Sequence, residues 1–245
     1  MRWFCFWATT PPIAKEEDVA LCNLYSMTKG QQAIRDLARA MHDRTGNLPL
    51  FPGIYPDYSA PIVRNSADGR ELVLARWGMP SPAFALQGKK SDPGVTNIRN
   101  TKSPHWRRWL GVENRCVVPF SSFAEPELQP DGRRPPAWFA FDDTRPLAFF
   151  AGIWTHWTSV RKVKEGETTN DLFGFLTTEP NIDVGVIHPK AMPVILTNPE
   201  EIDLWMTGTL AEALNLQRPL ADKSLRIVAR GMKEDLGQLA SGRDI

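Results

Sequence analysis

The sequence predicts an α+β fold: a single domain with a mainly antiparallel, curled or barrel-like β-sheet core and a few short peripheral helices. Three observations carry this. Seven short runs rich in β-branched and aromatic residues are separated by turn residues, and they seldom alternate with helical patterns as a parallel βαβ sheet would require. The chain carries 21 prolines in 245 residues, which argues against a long-helix bundle. No repeat or low-complexity linker divides it, and 42% hydrophobic content over this length supplies one sizeable core.

Taken in order, residues 1–21 read as a leader without a core pattern: an aromatic cluster, two prolines and a charged stretch. Residues 22–235 read as the functional domain and 236–245 as a tail. After Cys22 comes a helix, with Thr28 as its N-cap and Ile34, Leu37, Ala38 and Met41 at helical spacing, ending at Gly46. Residues 47–62, rich in proline, read as an extended loop. The β-type runs are Glu71–Trp77, Arg115–Phe120, Ala137–Phe141, Leu147–Trp154, Leu172–Thr178, Met192–Leu196 and Leu225–Ala229. Three short helices interrupt them: one capped by Ser103-Pro104, one opened by Asn198-Pro199-Glu200-Glu201, and one begun by the Thr209/Glu212 capping box.

Composition narrows the function. A net charge of +1 means that nucleic-acid binding needs a local patch rather than a global field. Three cysteines in this length form no disulfide framework and read as a reducing, intracellular setting. No apolar run is long enough to span a membrane, and no Cys/His spacing fits a zinc site, so neither a membrane, a metal nor a cofactor is expected. Nothing in the chain demands more than a monomer.

Several residues are candidates for chemistry. Cys22 precedes a capped helix; a lone cysteine is more often a small buried hydrophobe than a nucleophile, and the residues alone leave both readings open. Cys116 lies within an apolar run and reads as core. Glu125 emerges from the apolar segment Pro119–Ala124, where desolvation would raise its pKa toward acid/base use. Read alone, it is expected to face solvent just past a strand end. His188, in a loop before an apolar strand, suits either proton transfer or a structural hydrogen bond. The segment from Lys89 to Arg115 holds seven basic residues against two acidic ones, with Trp106 and Trp109 interleaved. Arginines there, Arg107 and Arg108 among them, suit phosphates, whereas the tryptophans at helical spacing read as core.

Four blocks in order add a family resemblance: Cys22-Asn23-Leu24-Tyr25-Ser26; Trp77-Gly78-Met79-Pro80 with Thr96-Asn97-Ile98-Arg99-Asn100; Arg115–Phe120 running to Glu125; and Ala151-Gly152-Ile153-Trp154 with His188–Pro193. Together, over about residues 22–231, they resemble the SOS-response-associated peptidases, the abasic-site processing proteins. The resemblance implies a bacterial, cytoplasmic, nucleoid-associated protein whose partner is single-stranded DNA with abasic sites. It implies that Cys22, as N-terminal residue, crosslinks to the lesion aldehyde through a thiazolidine. It further implies that Asn97 positions the amine and sugar, that Glu125 transfers protons and that His188 serves the opened sugar oxygen or reversal. Arg99 and Lys190 would contact phosphate, and Trp77 with Gly78 and Met79 would stack beside the lesion.

The chemistry needs a free α-amine on Cys22, yet Leu21 precedes it. Two expectations follow: translation starts at the Leu21 codon, which the patternless leader favours, or the leader is removed by self-cleavage. Two other functions remain open from the residues: a general thiol peptidase using Cys22 and His188, and a non-catalytic single-strand binding module.

Overall fold

The computed structural model describes residues 22–237. The expected leader 1–21 lies outside them, as does the tail beyond residue 237. In chain order the elements are β1 (Leu24–Met27), α1 (Gln31–Ala38), β2 (His42–Asp43), β3 (Phe51–Ile54), β4 (Ser59–Ser66), β5 (Gly69–Trp77), β6 (Asn97–Ile98) and α2 (Pro104–Arg107). Then follow β7 (Arg115–Phe120), β8 (Ser122–Pro126), β9 (Pro136–Ala140), β10 (Ala148–Val160), β11 (Glu167–Thr178) and α3 (Ile182–Gly185). The chain continues through β12 (Met192–Pro193), β13 (Ile195–Leu196), α4 (Pro199–Thr207), α5 (Leu210–Leu214) and β14 (Arg226–Arg230).

Strand pairing closes a circle. β11 pairs β10, β10 pairs β7, β7 pairs β4, β4 pairs β5, and β5 returns to β11. The first four pairings are antiparallel and the closing one is parallel, so a five-stranded barrel results without a free edge at the seam. Beside it lies an antiparallel sheet ordered β14-β9-β8-β1-β3. The main core is continuous between them, gathering Tyr25, Met27, Trp77, Phe120, Phe123, Phe150, Phe173 and Phe175. The expected fold class is therefore observed.

The local differences have clear causes. The first helix begins after Gly30 rather than at Thr28, because the Thr28 hydroxyl instead meets Ser121 Oγ at 3.0 Å. The helix stops at Arg39, which turns left-handed with φ +52°, so Met41 lies beyond it and is exposed. The proline-rich stretch 47–62 contains β3 and the start of β4. Pro52 falls between the paired residues Phe51 and Ile54, and Pro61 lies opposite Leu74, with β7 pairing the other side of β4 only at Val63 and Arg64. The capping patterns held: Ser103, Asn198 and Thr209 each accept a bond from a helical backbone N–H.

β1 was not expected as a strand, since four residues are too few for a period to show. Its alternation is nonetheless clean. Tyr25 and Met27 enter the main core, while Leu24 packs with Ala124 and Trp138 on the other side. Antiparallel register Leu24↔Ala124 and Tyr25↔Phe123 then fixes the neighbourhood of Cys22, immediately upstream.

Candidate functional site

The site forms where β1, β6, β8 and the turn after α3 converge. Cys22 leads into β1 and is 1% exposed. On β8, alternation puts Glu125 on the same face as Phe123, which is in the main core; Glu125 is 1% exposed. The expectation that Glu125 faces solvent is corrected: the strand runs on to Pro126, and its inward face carries the carboxyl.

Asn97 opens β6, which runs parallel to β11 with Asn97 opposite Phe175. Gly174 permits this approach, because a Cβ there would lie 3.1 Å from the Val95 carbonyl oxygen and 3.2 Å from that of Thr96. Asn97 Nδ2 donates to the Cys22 carbonyl at 3.0 Å and reaches Asn23 Oδ1 at 3.3 Å. Thr96 Oγ1 donates to the same Asn23 oxygen at 2.8 Å. Asn23 and Thr96 were not singled out from the sequence as site residues. Their only signal was adjacency to Cys22 and Asn97.

His188 follows α3, a short helix capped by the Asn181 side chain on the Val184 N–H at 3.1 Å. Its own N–H donates to the Val184 carbonyl at 2.8 Å, and the ring is buried, 2% exposed. Nδ1 lies 3.0 Å from the Ala191 carbonyl. A carbonyl only accepts, so Nδ1 carries the proton and Nε2 presents its lone pair. Nδ1 also lies 3.7 Å from Glu125 Oε2. Both readings of His188 thus meet in one ring: one nitrogen is a structural donor and the other is free for proton transfer.

Electrostatics follow from burial. Desolvation pushes the Glu125 carboxyl well above the usual carboxylate range, with the Cys22 thiol beside it opposing the shift. Burial first, and the neighbouring Glu125 carboxyl second, push the Cys22 thiol up. Buried side-chain atoms without a hydrogen-bond partner among the described residues include both Glu125 oxygens, His188 Nε2, Asn97 Oδ1 and Tyr25 Oη. A buried polar atom without a partner costs roughly 1–3 kcal/mol, so several on neighbouring groups leave room for something that binds them. A cleft of about 310 Å³ lies nearby, lined by Asn23, Leu24, Tyr55, Pro56, Glu125, Pro126 and others, with Arg134 at its wall; Cys22, Asn97 and His188 do not line it, and the Glu125 side chain is buried.

The remaining expected residues separate into rim and core. The Arg99 side chain is about half exposed, held only loosely by the Lys190 carbonyl at 3.5 Å and Glu179 at 3.4 Å. Lys190, Arg107 and Arg108 are exposed as well. Trp77, Gly78 and Met79 are not a stacking surface in this structure, which corrects that expectation. The Trp77 ring packs against Phe175 at 5.3 Å and Phe173 at 6.3 Å, with Tyr25 edge-on at 5.1 Å. Gly78, at φ +135°, is covered by the Arg161 guanidinium, which donates to its carbonyl at 3.0 Å. Trp106 and Trp109 are buried, as their spacing implied. No cluster of three or more metal-ligating side chains occurs among the described residues.

Comparison with known proteins places this arrangement. The family profile described as SOS response associated peptidase (SRAP) matches residues 21–232. Among solved structures, the chain is similar to a protein from Bordetella bronchiseptica, with 22% identity, a TM-score of 0.64, and coverage of 86% of this chain and 98% of that one. It is also similar to a protein from Bacteroides thetaiotaomicron, with 22% identity, a TM-score of 0.62, and coverage of 83% and 90%. At such identity these likenesses show a shared fold. No protein of curated function matches the chain.

Proposed function

Because the chain belongs to the SOS response associated peptidase family, whose profile spans residues 21–232, we propose that it processes abasic sites in single-stranded DNA by a covalent link through Cys22. The observation that carries this is the buried cluster of unpartnered polar atoms, from Glu125, His188 and Asn97, gathered beside Cys22.

The reading divides the work as follows. Once its peptide bond to Leu21 is absent, the α-amine of Cys22 is the first nucleophile. An α-amine has a pKa of about 7.7–8.0, so much of it is neutral near pH 7.5. It adds to the ring-opened lesion aldehyde and loses water, giving a Schiff base. The Cys22 thiol then adds across the C=N bond and closes a five-membered thiazolidine, with its proton passing to the nitrogen. Carrying both nucleophiles on one residue gives the second step a high effective concentration. Asn97 holds the Cys22 backbone through the carbonyl it bonds. Glu125, protonated by burial, supplies the proton that lets hydroxide leave as water. His188 Nε2 receives or returns a proton at the opened sugar oxygen. Arg99, Lys190, Arg107 and Arg108 face outward, where phosphates of a strand would lie.

The raised pKa of the Cys22 thiol speaks against the general thiol peptidase, which needs a thiolate at neutral pH. Amine-first chemistry does not need one. Removal of the leader, by an internal start or by self-cleavage, belongs to this proposal, and N-terminal sequencing of the natural protein tests it. The functional test incubates protein beginning at Cys22 with single-stranded DNA carrying one abasic site. A denaturant-resistant shifted band is expected, lost in Cys22→Ser. Turnover of peptide substrates without a band would replace this reading with the peptidase. Salt-sensitive binding without a covalent product would replace it with the binding module.

A further inference from the structure

A cavity of about 380 Å³ lies apart from Cys22, between the loop that follows β5, helix α2 and the far end of β10. The walls that matter are Trp157, Trp109, Arg108, Lys89, Lys90 and His105. Trp157 is 38% exposed and meets Trp109 edge-on at 6.0 Å. An indole on a strand is usually covered, so an exposed one facing a cavity offers a stacking surface.

The basic groups beside it are pre-positioned. His105 Nε2 lies 2.8 Å from the Pro80 carbonyl, so that nitrogen carries the proton and Nδ1 accepts. Arg108 Nη2 donates to that Nδ1 at 3.0 Å, and its Nε donates to the His105 carbonyl at 3.0 Å. The guanidinium also lies over the Trp109 ring, 4.6 Å from its centroid. Nη1 takes part in none of these bonds, so an ordered cation is held at the cavity wall with donors to spare. Lys89 and Lys90 add two exposed positive charges. The one acid in the lining, Asp92, is buried and already accepts from Ser81 N–H at 3.0 Å, Ser81 Oγ at 2.6 Å and Gly94 N–H at 2.8 Å. The net character is cationic with one open aromatic face.

The cavity is tied to the site by chain continuity. The loop bounding it is closed by the Met79↔Val95 bridge and hands over directly to Thr96 and Asn97. From Asn97 the chain runs through Arg99 and Lys102, which line a cleft of about 240 Å³, into α2 with Arg107 and then Arg108. Basic residues thus recur along the segment that joins the two places.

We propose that this cavity holds one unpaired nucleotide of the strand engaged at Cys22, its base stacked on Trp157 and its phosphate held by Arg108, Lys89 and Lys90. The inference rests on the reading of the protein as a binder of single-stranded DNA. Base–aromatic stacking and phosphate neutralisation are the two contributions such sites combine.

The test uses the full chain and a fluorescein-labelled 15-nucleotide oligo-dT without an abasic site, read by anisotropy across a salt series. Trp157→Ala is expected to weaken binding about 5- to 150-fold, and Trp157→Phe, which keeps a stacking face, to recover most of it. The double change Lys89→Ala/Lys90→Ala is expected to make the slope of log K against log salt shallower by about 1.4. Unchanged affinity and slope in both variants would overturn the inference while leaving the crosslinking of wild-type protein intact. Free dTMP that quenches tryptophan fluorescence only when Trp157 is present, with oligonucleotide binding unaffected by Trp157→Ala, would overturn the strand assignment in favour of a free nucleotide. Weakened oligo-dT binding in the variants, with no crosslink by wild type, would support the cavity and reject the proposed chemistry.

Discussion

Changing Glu125 to Gln should stabilise the protein at neutral pH while removing its proton donor, and the gain should depend on pH. Among the described residues the side chain is fully buried, both oxygens lack hydrogen-bond partners, and the ion-pairing partner is His188 Nδ1 at a long 3.7 Å. The other titratable neighbour is the Cys22 thiol, itself held neutral by burial. Desolvation therefore keeps the native carboxyl protonated to a higher pH than in the unfolded chain, where glutamate titrates near ~4.3. Between those two pKa values the native state holds one more proton than the unfolded state. The sign follows: this contribution is fully present below pH ~4.3 and is lost as pH rises toward the raised native value. Inside the window each pH unit shifts the folding equilibrium tenfold against the native state, about 1.4 kcal/mol. For a chain of this size that is roughly 3–6 °C in Tm per pH unit. Glutamine has nearly the same shape and does not titrate, so Glu125→Gln escapes the loss. Thermal unfolding of the full chain and the variant from pH 4 to pH 8 reads the difference, which should start near a fixed offset and grow with pH. A difference that stays flat from pH 4.5 to pH 7 would refute the reasoning. It would mean that Glu125 is ionised in the native protein.

Other perturbations test separate parts of the structure. Asn97→Ala removes the donor to the Cys22 carbonyl and should slow crosslink formation at least tenfold in a single-turnover gel assay, with little change in Tm. Gly78→Ala would place a Cβ 2.4 Å from Arg161 Nη2 at φ +135°; a loss of about 2–4 kcal/mol is expected, read as a lower urea midpoint at unchanged m. Arg115 is buried and donates to the carbonyls of Leu110, Trp205 and Gly208 at 2.9, 3.1 and 2.7 Å. Arg115→Leu leaves these acceptors unpaired where α4 meets β7, and should cost about 3 kcal/mol or more by the same assay.

What was legible in the sequence was mostly local. Asn198 and Thr209 announced their helices because capping is decided within four residues. The strands of the barrel showed themselves as apolar runs such as Arg115–Phe120, buried throughout because both faces are covered. The candidate site residues came from motif order, and the structure sets Asn97 against Cys22 and His188 near Glu125. Where local rules misled, a distant partner had intervened. Thr28 had the chemistry of a cap, but Ser121, 93 residues away, took its hydroxyl. The resemblance gave Trp77 a stacking role beside the lesion, but strand β11, paired in parallel beside it, brought Phe173 and Phe175 onto its ring.

The same division holds for the site as a whole. The sequence by itself determined the family, the sheet-rich fold and which groups are candidates for the site, because these depend on residue types and their order along the chain. Tertiary structure alone decided how those groups are charged and which are reachable. Burial and pairing are sums over neighbours far apart in sequence, and they made Glu125 an inward-facing acid whose pKa desolvation raises, His188 a ring with one nitrogen bonded and one without a partner among the described residues, and Trp157 an open face beside an ordered arginine.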